Sequence, residues 1–157
     1  SELKSIDLGE DGVFVIQDED WAFDAIGLPV HGGRQLEKIE YEVVQSVTNQ
    51  ATKNMSVSSS LVLDLWKRGL NTRSGFKYGT KWRCYPSDVG EGHAPWLVVD
   101  PSSDNPKNWA EACLSSRLAS GVNKHWLYPI NDRGNGWRYL QISRPPSDSR
   151  WSNPIRH

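Results

Sequence analysis

Trp96-Leu97-Val98-Val99 is the stretch that most restricts what this chain can become. An extended strand sends successive side chains to opposite faces, so a continuous apolar run needs cover on both. That requires a central strand in a layered structure, and the neighbouring segments can supply it. Trp109 to Gly121 places Ala110, Cys113, Leu114, Leu118 and Ala119 along one side of a helix. Ser58 to Ser60 can cap another helix, holding Leu61, Leu63, Leu65 and Trp66 and stopping at Gly69. Leu70 to Arg73 and Lys81 to Tyr85 read as neighbouring strands joined by a glycine-rich turn. Two more strands close the pattern, Lys124 to Ile130 and Trp137 to Ser143, with a turn at Asn131-Asp132-Arg133-Gly134-Asn135-Gly136.

The first third of the chain has a different texture. Gly12-Val13-Phe14-Val15-Ile16 is a short run of strand type behind the turn Glu10-Asp11-Gly12. From Gln35 to Val47, Leu36, Ile39, Glu40, Val43, Val44 and Val47 recur at helical spacing. Thr48 to Ser60 is polar and marks the expected boundary. The expectation is therefore an α+β or mixed α/β chain. A small N-terminal α/β unit (1–55) precedes a second domain (56–157) with a mixed central sheet flanked by helices and a basic, proline-containing tail.

Composition narrows function. With 37% hydrophobic residues the chain can build a core, and its net charge of −1 is not that of a protein that coats nucleic acid by bulk charge. Cys84 and Cys113 match no metal-ligand spacing, and His31, His93, His125 and His157 are too scattered for a zinc site, so no metal or other cofactor is expected. No run of about 18 apolar residues, signal-peptide core or basic presequence is present, so no membrane association is expected.

Three side chains stand out. Tyr85 ends a strand and is followed by Pro86, which stops the ladder and should leave the ring exposed at a sheet edge. His93 sits in Gly90-Glu91-Gly92-His93, in a loop whose glycines permit close approach to a ligand. Lys124 opens a strand after Gly121-Val122-Asn123. A phenol or phenolate, an imidazolium and an ammonium suffice to cut RNA without a metal. One takes the ribose 2′-OH proton, one protonates the leaving 5′-oxygen and one offsets charge on the phosphorane. Each residue alone has an ordinary structural explanation.

The stretch DLWKRGLNTRSGFKYGTKWRCYPSDVGEGHAPWLVV, Asp64 to Val99, resembles the catalytic domain of the tRNA-splicing endonucleases. Tyr85, His93 and Lys124, spaced eight and then thirty-one residues apart, match that family's tyrosine–histidine–lysine triad. The N-terminal GLPVHGGRQLEKIEYEVVQS is similar in layout to the small domain of archaeal members. The resemblance implies a catalytic subunit that cleaves pre-tRNA at bulge-helix-bulge intron–exon junctions. Tyr85 would be general base, His93 general acid and Lys124 the transition-state cation, leaving 2′,3′-cyclic phosphate and 5′-hydroxyl ends. It further implies a base clamp using Arg117 and, near Trp137 or Arg138, a second cationic or aromatic side chain, together with an acidic turn residue, Asp132, that docks on a neighbouring subunit. The partners implied are pre-tRNA and either copies of the same chain or a structural subunit in a hetero-tetramer. The location would be cytoplasmic for an archaeal protein and nuclear for a eukaryotic one. Two other readings stay open: a non-catalytic structural subunit of the same assembly, and an RNA-binding module that does not cut.

Overall fold

The computed structural model describes residues 4–16, 26–49, 55–86, 94–103, 105–132 and 136–142. The described residues form an α+β fold with two sheets and three α-helices. The first sheet takes β1 (Ser5–Asp7), β2 (Val13–Val15), β3 (Leu28–Val30) and β4 (Gly33–Leu36), ordered β1-β2-β4-β3 and antiparallel throughout. Helix α1 (Lys38–Thr48) follows, then α2 (Val57–Lys67). The second sheet is β5-β6-β7-β8-β9, from β5 (Asn71–Ser74), β6 (Trp82–Tyr85), β7 (Trp96–Val98), β8 (His125–Asp132) and β9 (Gly136–Ile142). Only β7 and β8 run parallel, and the crossover between them is α3 (Trp109–Gly121).

β7 is the middle strand of five, and its side chains divide between two cores. Val98 belongs to the larger core, with Val13, Val15 and Leu36 of the first sheet, Val43 and Val44 of α1, Leu61, Leu65 and Trp66 of α2, and Trp82 and Cys84 of β6. Leu97 joins Val99 and Trp126 against Ala112 and Ala119 of α3. The larger core takes residues from both sides of the 1–55 and 56–157 division.

Helix ends differ from expectation for local reasons. Leu36 pairs with Val13 in β4, so α1 starts at Lys38 rather than at Gln35. Glu37 is its N-cap in a capping box with Glu40, whose Oε1 accepts the Glu37 N–H at 2.9 Å. The cap of α2 is Ser56, accepting from Ser59 N at 3.1 Å, while Ser58 to Ser60 lie inside the helix. Gly69 ends α2 in the left-handed region (φ 84°), where a Cβ would be strained.

Glu40 is the unusual core residue. It is fully buried, accepting from Thr72 Oγ1 at 3.1 Å and paired with Arg73 at 3.4 Å. Trp66 Nε1 donates in turn to Thr72 Oγ1 at 3.1 Å. This network connects α1, α2 and β5. Burial raises the Glu40 carboxyl from 4.5 to about 7, and the Glu37 N–H and Arg73 only partly offset that.

Candidate active site

The register of the second sheet brings two of the three proposed residues to one end. Cys84 of β6 faces Trp96 of β7, which faces His125 of β8. One step further along that row lie Tyr85, Pro95 and Lys124, and the ladder extends that far, since His125 N donates to Pro95 O at 2.7 Å. With strands about 4.8 Å apart, the Tyr85 and Lys124 backbones stand about 10 Å from each other. Strand alternation puts both side chains on the α3 face, opposite Cys84.

Lys124 is held by the way α3 ends. Lys124 N donates to Ala119 O at 2.9 Å and Asn123 N to Ser120 O at 3.1 Å, the paired bonds of a Schellman ending. Asn123 takes the left-handed position (φ 57°) that glycine usually fills. The Lys124 side chain is buried, and its Nζ donates to Ala94 O at 2.6 Å. That contact anchors the ammonium to the residue directly after His93. His93 itself lies outside the described residues.

Tyr85 differs from expectation. It is 8% exposed, and β6, which it ends, lies inside the sheet between β5 and β7 rather than at an edge, with Asn71 paired to it. Two residues earlier on the same face, Arg83 holds its guanidinium 5.8 Å from the Tyr85 ring centre, and its buried Nε has no hydrogen-bond partner. Arg83 was not singled out in the sequence, although the two-residue strand period from Tyr85 points to it.

The remaining site residues separate. Arg117 is exposed on α3 and Arg138 is exposed on β9. Trp137 is only 5% exposed, packs in the larger core and donates Nε1 to Ser60 Oγ at 3.0 Å. Nearly all of the indole is covered, and that bond joins β9 to α2. The Asp132 backbone belongs to β8 and pairs with Gly136, so the strand runs two residues into the stretch read as a turn. Cys84 is fully buried and its thiol is pushed well up by desolvation, which makes it inert. No group of three or more His, Cys, Asp or Glu side chains able to hold a metal occurs among the described residues. None of the described helices is long and apolar enough to cross a membrane.

The family described as "tRNA intron endonuclease, catalytic C-terminal domain" matches residues 57–139, more than half of the chain. The chain belongs to this family. The matched region begins with α2 and ends in β9, so it contains the whole row from Tyr85 to Lys124. Proteins named tRNA-splicing endonuclease are similar to it. That of Picrophilus torridus is 33% identical over 123 residues, covering 78% of this chain and 38% of the relative. That of Thermoplasma volcanium is 30% identical over 119 residues, 76% of this chain and 38% of the relative. That of Methanococcus vannielii is 28% identical over 105 residues, 66% of this chain and 59% of the relative. The chain thus spans little more than a third of the length of the first two.

Proposed function

We propose that this tRNA intron endonuclease chain is catalytic and cuts precursor tRNA at intron–exon junctions by 2′-OH transesterification. Tyr85, acting as its phenolate, takes the proton from the 2′-OH, whose oxygen attacks the adjacent phosphorus. Lys124 offsets charge on the non-bridging oxygens of the phosphorane. His93 delivers a proton to the departing 5′-oxygen, leaving a 2′,3′-cyclic phosphate and a 5′-hydroxyl. Atoms and charges balance without a metal ion, so cleavage should persist in EDTA.

The observation that carries this reading is the shared row of Tyr85 and Lys124, with Lys124 Nζ bonded to the carbonyl beside His93. Burial strengthens it electrostatically, because a cation shielded from water acts harder on a phosphoryl oxygen than a solvated one. Arg83 adds a second cation on the Tyr85 face. The proposed base clamp takes Arg117 and a second side chain at Trp137 or Arg138; Arg117 and Arg138 are both exposed. Two cuts in one precursor need two centres at a set distance, so the working form is an oligomer, either of this chain or with a structural subunit, and Asp132 is its proposed docking residue. Relatives from archaea favour a cytoplasmic setting.

The low exposure of Tyr85 and Lys124 also supports a second reading, a structural subunit that keeps these residues for packing. One experiment separates the two. An intron-containing pre-tRNA is incubated with the purified protein, alone and with candidate partner chains, and the ends are analysed. Cyclic phosphate and 5′-hydroxyl ends are expected, with cutting lost when the nucleotide 5′ of the junction is 2′-deoxy. Cleavage of the deoxy substrate would eliminate the mechanism, and loss of cutting only when the partner's triad is altered would establish the structural role.

A further inference from the structure

The connection from β5 to β6, residues 75 to 81, buries its threonine and displays its phenylalanine. Thr80 is 6% exposed and donates Oγ1 to Trp82 O at 3.3 Å, whereas Phe76 is 88% exposed. The loop is closed by several bonds: Gly75 N to Lys81 O at 3.0 Å, Thr80 N to Gly75 O at 3.3 Å and Gly79 N to Phe76 O at 3.0 Å. Ser74 Oγ accepts from Phe76 N at 3.3 Å. Gly75 fits where a Cβ would come within 2.6 Å of Thr80 Oγ1 and 2.9 Å of the Trp82 carbonyl carbon. Phe76 is therefore mounted on a fixed turn rather than left over on a slack one.

Lone exposed apolar side chains are common on protein surfaces. The basic stretch of sequence that carries this one sets it apart. From Leu65 to Arg83 the chain carries Lys67, Arg68, Arg73, Lys77, Lys81 and Arg83 with no acidic residue, in a sequence whose net charge is −1. Arg68 and Arg73 are paired with Asp64 and Glu40, and exposed Lys77 directly follows Phe76. An aromatic ring beside cations suits an unpaired base and its phosphate. A protein partner fits less well, since one ring followed by one lysine falls far short of the roughly 800 Å² per side that stable protein interfaces bury.

We propose that this hairpin tip is an RNA-contact site outside the cleavage centre, with Phe76 stacking on an unpaired base and Lys77 meeting a neighbouring phosphate. The site rests on the RNA-substrate reading above and extends it. The tip lies beyond the opposite end of β6 from Tyr85, at least about 10 Å along the strand, so it touches RNA flanking the cut rather than the cut itself.

The test measures binding of a bulged RNA made uncleavable by 2′-deoxy substitution at the junction, by fluorescence anisotropy across a salt series. Phe76→Ala should weaken binding at least about fivefold, the low end for loss of a stacked base. Phe76→Trp should bind as the unaltered protein does, and Lys77→Ala should make the salt slope shallower by about 0.7. Thermal stability and the single-turnover cutting rate at saturating RNA should stay unchanged in Phe76→Ala. Binding by Phe76→Ala within twofold of the unaltered protein overturns the site, as does a changed oligomer size with RNA affinity intact, which would mark a protein contact. If the unaltered protein binds but never cuts the 2′-OH RNA, the nuclease reading fails while dependence of binding on Phe76 still reports the stacking site.

Discussion

Replacing Glu40 with glutamine should flatten the dependence of stability on pH. Glu40 is wholly buried, with one cation, Arg73, at 3.4 Å and neutral donors from Thr72 and the Glu37 backbone. Desolvation outweighs these partners, so the folded carboxyl holds its proton up to about pH 7 against an ordinary 4.5. The folded state thus binds more protons than the unfolded chain between those values, and stability falls as pH rises there. The contribution is complete below pH 4.5 and is lost as pH climbs through about 7. A displacement from 4.5 to about 7, at about 1.4 kcal/mol per pKa unit, amounts to about 3 kcal/mol.

Glutamine carries no titrating proton and keeps the shape and one accepting oxygen. Urea denaturation of both proteins at pH 4 and pH 8 gives the comparison. The unaltered protein should lose about 3 kcal/mol relative to Glu40→Gln between the two pH values, equivalent to roughly 6–12 °C in Tm for a chain of this size. Groups that titrate alike in both proteins cancel in the difference. A difference that stays constant with pH, or that favours the unaltered protein at pH 8, would show that Arg73 compensates the ionised carboxylate in full and would refute the argument.

Three other outcomes follow from the site. Tyr85→Phe should cut pre-tRNA at least about 100-fold more slowly while unfolding at an unchanged midpoint, the range expected for losing a general base; an unchanged rate would remove the phenol from the chemistry. Asn123→Gly should keep both stability and cutting, whereas Asn123→Val should lose at least about 1 kcal/mol from the left-handed position and slow cutting by displacing Lys124; equal behaviour of the two in thermal melts and cleavage assays would mean the helix ending does not place the lysine. Trp137→Ala should cost about 3–5 kcal/mol, as a buried tryptophan does; normal stability with impaired RNA binding would make Trp137 the second clamp residue instead.

Much of the second sheet was legible because its strands are short apolar or β-branched runs bounded by strong turn residues, and because Gly69 ends a helix as glycine does. The first sheet was less so. Gly33-Arg34-Gln35-Leu36 has no strand signature of its own and becomes β4 only by pairing with β2 on one side and β3 on the other. Leu36 fell on the helical period of the residues after it by coincidence. Glu40 fell on the same apolar stripe, and a carboxylate there is a visible sign of a buried charge. Exposure at the site was not legible, since it depends on which strands flank β6, a tertiary property that places Tyr85 in the interior and Arg138 outside.

The mixed direction of the strands is what makes the proposed centre possible. Tyr85 is the last residue of β6, whereas Lys124 immediately precedes β8 and Ala94 comes just before β7. In an all-parallel sheet a strand end and a strand start would lie at opposite edges. Here β6 runs against β7, and β7 runs with β8 through the α3 crossover, so one C-terminal end meets two N-terminal ends. The parallel step needs a helix, and the Schellman ending of that helix is what delivers Lys124. A rearrangement that reversed β8 would leave the helices and most of the core possible, yet carry the ammonium to the far edge of the sheet. The placement of the chemistry therefore depends on topology more than on any one contact, and the apolar run of β7, covered on both faces, holds that topology in place.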